Sequence, residues 1–312
     1  MSQIHPDNDF PAFATSGFQV AKETEKLRVE TSSFTFGKET FFATHWKPLS
    51  QDGLKGIVFI CHGYGEYFSP SYDEIAEALV EQGMLVIGHD HVGHGRSTGQ
   101  RVQAQSLDDF VLPVIAHCKK IVNDFNSQRL PLYIIGHSMG GLITTYAAIR
   151  EPDLFHGIVF MGPLIKMDPN VATPSKIMLA NWFKSLLPSF SLGSLDATAI
   201  TRDKTVVKRV EEDPLCWHGG FRTLLSYVLI KSVDDLKDGV LLKKISKPVL
   251  VFQGGQDKLV NPEGATFLNE NVSSVDKKLV TYPEAFHNLF VELDDVKTAV
   301  IKETCDWITS HI

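Results

Sequence analysis

The stretch Gly136-His137-Ser138-Met139-Gly140, directly behind the apolar run 132–135, limits what this chain can fold into more than any other feature. It predicts a strand, a sharp turn carrying the serine, and a helix that starts at the serine itself. Such a turn holds the serine backbone in a strained conformation, in which side chains two residues before and after would collide with the neighbouring strand and helix. Gly136 and Gly140 remove those side chains, and Gly141 lets the helix pack close. The hydroxyl is thereby lifted out of the sheet and set over a helix N-terminus, whose partial positive charge favours a developing oxyanion.

Short apolar runs at 56–61, 84–87, 132–135, 157–161 and 248–253 read as buried strands, with a further strand at 40–46 closed by Pro48 and another at 278–282. Helical patterns alternate with them. They fall at about 71–82, from Ser106-Leu107-Asp108-Asp109 onward with a capping-box-like start and a bend at Pro113, near 262–271, and at about 295–309. The alternation implies a mostly parallel central sheet with helices on both faces, an α/β fold in one domain over 1–312. It breaks over about 163–217, a Ser-, Pro- and Leu-rich stretch with an apolar helix candidate at 175–187, which reads as an inserted helical cap.

A serine hydroxyl is a poor nucleophile until a base takes its proton, and the base needs a carboxylate to fix its tautomer. Asp257 follows the strand 248–253 across Gly254-Gly255, and His287 follows Tyr282 in the loop Pro283-Glu284-Ala285-Phe286. Alone, Asp257 reads as a turn aspartate and His287 as a surface histidine. In this order behind Ser138, each past the end of a strand, they make a Ser138–His287–Asp257 triad. The string His62-Gly63-Tyr64-Gly65-Glu66 at the end of strand 56–61 can supply a second oxyanion donor, so the N–H groups of Tyr64 and Met139 are the expected pair.

Composition excludes several alternatives. A net charge of −7 without a basic run argues against a nucleic-acid partner, and 43% hydrophobic residues with 20 Phe supply a large core. Cys61, Cys118, Cys216 and Cys305 form no Cys-x-x-Cys pair and read as free thiols in a reducing compartment; Cys61, at the end of an apolar strand, reads as inert. The polar, acidic first residues are no signal peptide, and no apolar stretch is long enough to span a bilayer. The expectation is a cytoplasmic protein, at most peripherally attached to membrane. His89-Asp90-His91-Val92-Gly93-His94 suggests a metal site, but no second ligand cluster follows and the order differs from the common zinc motifs. It reads as a post-strand loop whose Asp90 bonds backbone amides, with no metal.

These residues carry a family resemblance. His62-Gly-Tyr-Gly-Glu66, Gly88-His-Asp-His-Val-Gly-His-Gly-Arg-Ser97 and Gly136-His-Ser-Met-Gly-Gly141 resemble the monoacylglycerol lipases of the α/β-hydrolase superfamily. Pro188-Ser-Phe-Ser-Leu-Gly193, Asp203-Lys-Thr205 and Asp213-Pro-Leu215 in the cap are similar too, and the likeness runs from about Phe42 to the C-terminus. The resemblance implies the α/β-hydrolase fold with a helical cap. It also implies cleavage of a monoacylglycerol to fatty acid and glycerol at a membrane surface, without a cofactor. It places the triad on Ser138, Asp257 and His287 and the oxyanion donors on Tyr64 and Met139. A lysophospholipase or broad carboxylesterase on the same fold is the alternative, whereas a non-catalytic binding protein would be expected to show a broken triad.

Several positions depart from the family pattern and bear on the headgroup. Only Cys216 remains of the pocket cysteines, Phe290 stands where a second histidine is usual, Val210 replaces a cap tyrosine at the glycerol end, and Tyr64 replaces a small residue. Glu66 reads either as a surface charge or as a partner for the polar end of the substrate, and the run Glu211-Glu212-Asp213 is expected near that end. In the cap, Met178, Trp182 and Leu186 lie four apart, with Leu179, Phe183 and Leu187 beside them. That face is wider than one helix needs for core packing. It packs on the main domain, or Trp182 and Phe183 line an acyl channel and dock on lipid. Nothing in the sequence speaks to oligomeric state.

Overall fold

The computed structural model describes residues 17–50, 53–68, 70–125, 129–167, 178, 182 and 187–312. The chain opens with β1 (Gln19–Glu23), β2 (Leu27–Phe36) and β3 (Glu39–Pro48), paired antiparallel in sequence, with Phe34 opposite Phe41. The alternating part follows as β4 (Gly56–Cys61), α1 (Asp73–Glu81), β5 (Met84–His89), α2 (Asp108–Asp124), β6 (Leu132–His137), α3 (Met139–Arg150) and β7 (Gly157–Met161). The segment after β7 holds β8 (Ser191–Leu192), α4 (Lys204–Glu212) and β9 (Phe221–Arg222), with β8 and β9 forming an antiparallel ribbon, and then α5 (Thr223–Asp234). The sheet resumes with β10 (Val249–Gly254), α6 (Glu263–Asn271), β11 (Lys277–Tyr282) and α7 (Asp294–Ser310).

The strands form one nine-stranded sheet in the order β1-β2-β3-β5-β4-β6-β7-β10-β11. From β5 to β11 every neighbour is parallel, and the antiparallel pairings are confined to the β1–β3 side. Strands of this central part are buried on both faces, which is why they read as unbroken apolar runs. In β4, Ile57, Phe59 and Cys61 point to one core and Val58 and Ile60 to the other. The first core is closed by Phe110 and Val114 of α2, Leu142 of α3, Leu225 of α5 and Leu268 of α6; the second by Ile75 and Leu79 of α1 and Val300 and Ile308 of α7. Each fully buried side chain of this kind contributes roughly 1.5–3 kcal/mol of transfer free energy.

Two details differ from the sequence reading. Ser106 makes no side-chain cap on α2; instead Asp109 Oδ2 reaches back to accept the N–H groups of Gln105 at 2.7 Å and Ser106 at 3.2 Å. The strands β1 and β2 and the helix α5 escaped it altogether. No helix among the described residues is long and apolar enough to cross a membrane. The parallel strands deliver the loops after β4, β6, β7, β10 and β11 to one edge of the sheet, where ligands of open α/β folds bind.

Candidate active site

Ser138 stands between β6 and α3 with φ 55° and ψ −118°, a region that side chains other than glycine rarely enter. The turn is held because Ser138 donates its N–H to Met161 O in β7 at 3.0 Å, while its own carbonyl accepts from Gly141 at 2.9 Å and Leu164 at 3.0 Å. The flanking glycines answer to space. A Cβ at position 136 would lie 2.5 Å from Thr144 Oγ1, and one at position 140 would lie 2.2 Å from Cys61 O.

Asp257 and His287 come together at the ends of β10 and β11, with Asp257 Oδ2 2.7 Å from His287 Nδ1. A carboxylate only accepts, so Nδ1 carries the proton and Nε2 keeps its lone pair. The carboxylate is fixed on its other oxygen, where Oδ1 accepts the N–H groups of Leu259 at 2.9 Å and Val260 at 3.1 Å. Burial acts to raise the Asp257 carboxyl, but the adjoining His287 imidazole and these amides outweigh it and hold the group below the usual carboxylate range. The histidine loop is tied on both sides: Gln256 N–H reaches Ala285 O at 2.9 Å and Phe286 N–H reaches the buried Glu292 carboxylate at 3.0 Å.

Glu66 lies behind the loop after β4. Its Oε1 accepts the Gly63 N–H at 2.6 Å, the Tyr72 hydroxyl at 2.5 Å and His137 Nδ1–H at 2.7 Å. Burial opposes its charge, yet His137 and Tyr72 more than compensate, and the carboxyl is held down to about 2. Oε1 is therefore saturated, leaving only Oε2 for anything entering from outside. The N–H groups of Tyr64 and Met139 donate to no protein acceptor among the described residues. The Tyr64 side chain turns into the inserted segment, where its hydroxyl donates to Gly220 O at 3.2 Å and accepts the Arg222 N–H at 3.0 Å. Trp217 N–H donates to Gly65 O at 2.7 Å, so the stretch from Trp217 to Arg222 sits directly on this turn.

Ser138, Met139, Tyr64, Glu66 and His287 all line one cavity of about 490 Å³. Its lining mixes apolar side chains, Leu164, Met167, Leu229, Ile230 and Leu259, with Tyr67, Arg209, Asp213 and Cys216. Val210 of α4 lines it too. Of the acidic run, only Asp213 reaches the cavity, bonded by Tyr67 at 2.8 Å, while Glu211 and Glu212 are exposed. Phe290 does not line the cavity: it is buried in the second core and packs against Tyr72, because the turn after His287 winds it inward. Trp182 is helical and 74% exposed and stands apart from the cavity, whereas Phe183 lies outside the described residues.

The histidine-rich loop after β5 is a buried structural unit. Asp90 accepts the N–H groups of Phe68 at 2.9 Å and Arg96 at 2.8 Å, as the sequence suggested. Burial pushes the Cys61 thiol up to about 12, which makes it a poor nucleophile. The sequence did not reveal two further polar groups at the site, Gln253 and the Arg202–Glu292 pair, because their roles arise from through-space contacts.

Residues 52–294 match the family described as serine aminopeptidase, S33. The chain is 35% identical over 270 residues to a monoglyceride lipase of Homo sapiens, covering 86% of this chain and 87% of that protein. The crystal structure of a monoacylglycerol lipase of Paleococcus ferrophilus superposes with a TM-score of 0.71 at 27% identity, over 83% of this chain and 96% of that one. A soluble variant of monoglyceride lipase from Saccharomyces cerevisiae, solved with a substrate analog, shares the fold with a TM-score of 0.80 at 24% identity, over 94% and 97% of the two chains.

Proposed function

Because this chain belongs to the monoglyceride lipases of the α/β-hydrolase fold, and is therefore an ester-hydrolysing enzyme acting on lipid, we propose that it cleaves monoacylglycerols through an acyl-enzyme on Ser138. The observation that carries this reading is the 2.7 Å Asp257–His287 contact beside a strained serine on the wall of the same cavity. Ser138 Oγ attacks the ester carbonyl while His287 Nε2 takes its proton, and Asp257 stabilises the resulting imidazolium. The tetrahedral oxyanion is received by the N–H groups of Tyr64 and Met139. His287 returns the proton to the departing glycerol, then activates a water that releases the fatty acid.

The mixed lining suggests how substrate lies. The acyl chain runs along Leu164, Met167 and Leu229, and the glycerol faces Glu66 Oε2 and Val210, with fewer polar partners than the family pattern offers. The stretch over about 163–217 acts as the cap of a single domain. Its exposed Met178, Trp182, Leu187 and Phe190 supply apolar area for peripheral docking on membrane from the cytoplasmic side, and at a net charge of −7 docking rests on burial more than on anionic lipid. The test is kcat/KM for one acyl chain on glycerol, methanol and phosphocholine headgroups. Glycerol is expected to lead with methanol close behind. Phosphocholine in front would make the enzyme a lysophospholipase and leave the triad untouched.

A further inference from the structure

Gln253 lies at the end of β10, one residue from its last, and is 2% exposed. Its amide nitrogen donates to Asp257 Oδ2 at 3.0 Å and to the carbonyl of Gly254 at 3.0 Å, while its Oε1 is buried without a partner among the described residues. The orientation follows from chemistry. Turning the amide over would set its oxygen against a carboxylate and a carbonyl, which only accept. The rest of the strand up to this point, Val249 to Phe252, is apolar and fully buried. A buried amide with an unmatched carbonyl carries a desolvation cost that an apolar side chain of equal length avoids. Sheet stability therefore does not account for this residue.

What its N–H groups reach does. Asp257 has Oδ1 held by two backbone amides, but among the described residues Oδ2 meets only His287 and Gln253. We propose that Gln253 is a positioning residue of the triad, tethering Asp257 Oδ2 in the orientation that meets His287 and dispersing part of its negative charge. The inference rests on the reading of Ser138, His287 and Asp257 as catalytic. Without the amide, Oδ2 keeps one partner, and the carboxylate can turn away from the imidazole. The imidazole is then held less often in the orientation that serves Ser138, and turnover falls.

Among the described residues, none of the other charged or titratable groups around the pair bonds Gln253. His137 stacks obliquely on His287 with ring centroids 4.9 Å apart and is bonded to Glu66. Lys258 holds its ammonium 5.4 Å from the Phe286 ring, Glu292 binds the Phe286 N–H and Arg202, and Asp196, Arg209 and Asp213 line the cavity. A difference between variant and wild-type profiles therefore reports the amide.

The experiment is the pH dependence of kcat and kcat/KM on a water-soluble short-chain ester for wild type, Gln253→Met, Gln253→Leu and Asp257→Asn, with melting temperatures for each. Gln253→Met is the informative variant, since it keeps the length of the side chain and removes the amide. We expect kcat to fall about three- to tenfold with KM held within about twofold, and the melting temperature to be kept. A plateau kcat within about twofold of wild type in both Gln253 variants, or a loss carried by KM with kcat kept, overturns the proposal. So does a failure of both to fold, which would assign the amide to the sheet. If Asp257→Asn itself keeps near wild-type activity, the triad reading fails instead, and the two failures are told apart.

Discussion

Ser138 is the point at which backbone and chemistry conflict. A non-glycine residue at φ 55° and ψ −118° costs on the order of 1–3 kcal/mol, and the cost is borne by the packing of β6, β7 and α3 around it. Ser138→Ala keeps that strain and loses only the hydroxyl, so it should fold normally and lose about four to six orders of magnitude in kcat. Ser138→Gly should be equally inactive but more stable than the alanine variant by about 1 kcal/mol, because glycine accepts the conformation. Urea unfolding of the two variants decides this, and a fluorophosphonate probe should label wild type at Ser138 alone. Labelling at Cys216 or elsewhere would remove the serine from its role.

Two elements of the inserted segment lend themselves to separate tests. The stretch Ile200–Arg202 is latched to the loop of His287. Asn288 N–H donates to Ile200 O at 2.9 Å, Thr201 Oγ1 to Val291 O at 2.9 Å, and Arg202 Nε to Glu292 at 3.1 Å. The Glu292 side chain is fully buried and the Arg202 side chain 25% exposed. Arg202→Met would strand that carboxylate and should cost about 3 kcal/mol, the low end for a broken buried pair because solvent reaches the guanidinium; a change below about 0.5 kcal/mol in urea unfolding would show the pair to be dispensable. The second test concerns Met178 and Trp182, both helical and exposed. Trp182→Ser should weaken binding to neutral vesicles and spare turnover of a soluble short ester; equal loss on both, with a lower melting temperature, would place the indole in a packed core. How much of this was legible in advance depends on the element. The runs at 56–61 and 157–161 matched β4 and β7 to the residue, because strands buried on both faces leave no polar interruption. β2 was missed although Leu27 and Val29 alternate with Arg28 and Glu30, a pattern that only pairing with β3 makes decisive. Asp257 and His287 were legible from chain order, whereas Gln253, Arg202 and the saturation of Glu66 Oε1 depend on contacts no spacing encodes.

Across the whole molecule, the largest store of buried titratable groups lies away from the cavity wall. His45, His62, His89, His91, His94 and His117 are all nearly inaccessible, and neither ring nitrogen of His91 is bonded among the described residues. Burial pushes His45 down to about 3 and His94 to about 4, and the others well below the ordinary imidazole value. Their folded values are depressed, so the unfolded chain takes up protons first. The stability they contribute is full above about pH 6.5 and is lost as pH falls toward their folded values, at up to about 1.4 kcal/mol per histidine per pH unit. Urea midpoints should fall steeply between about pH 6.5 and pH 5, and His91→Phe should flatten that slope; a midpoint constant over this range contradicts the assignment. The order of the sheet has a further consequence, for time. β7 and β10 are parallel neighbours although the entire inserted segment runs between them, and β11 docks on β10. Helices such as α2 and α3 form from local contacts, but His287 joins Ser138 on one cavity only after these distant strands have paired, and distant pairings are slow. On dilution from urea, far-ultraviolet ellipticity should return ahead of ester cleavage, with Ser138 in its turn and silent until the last strand arrives.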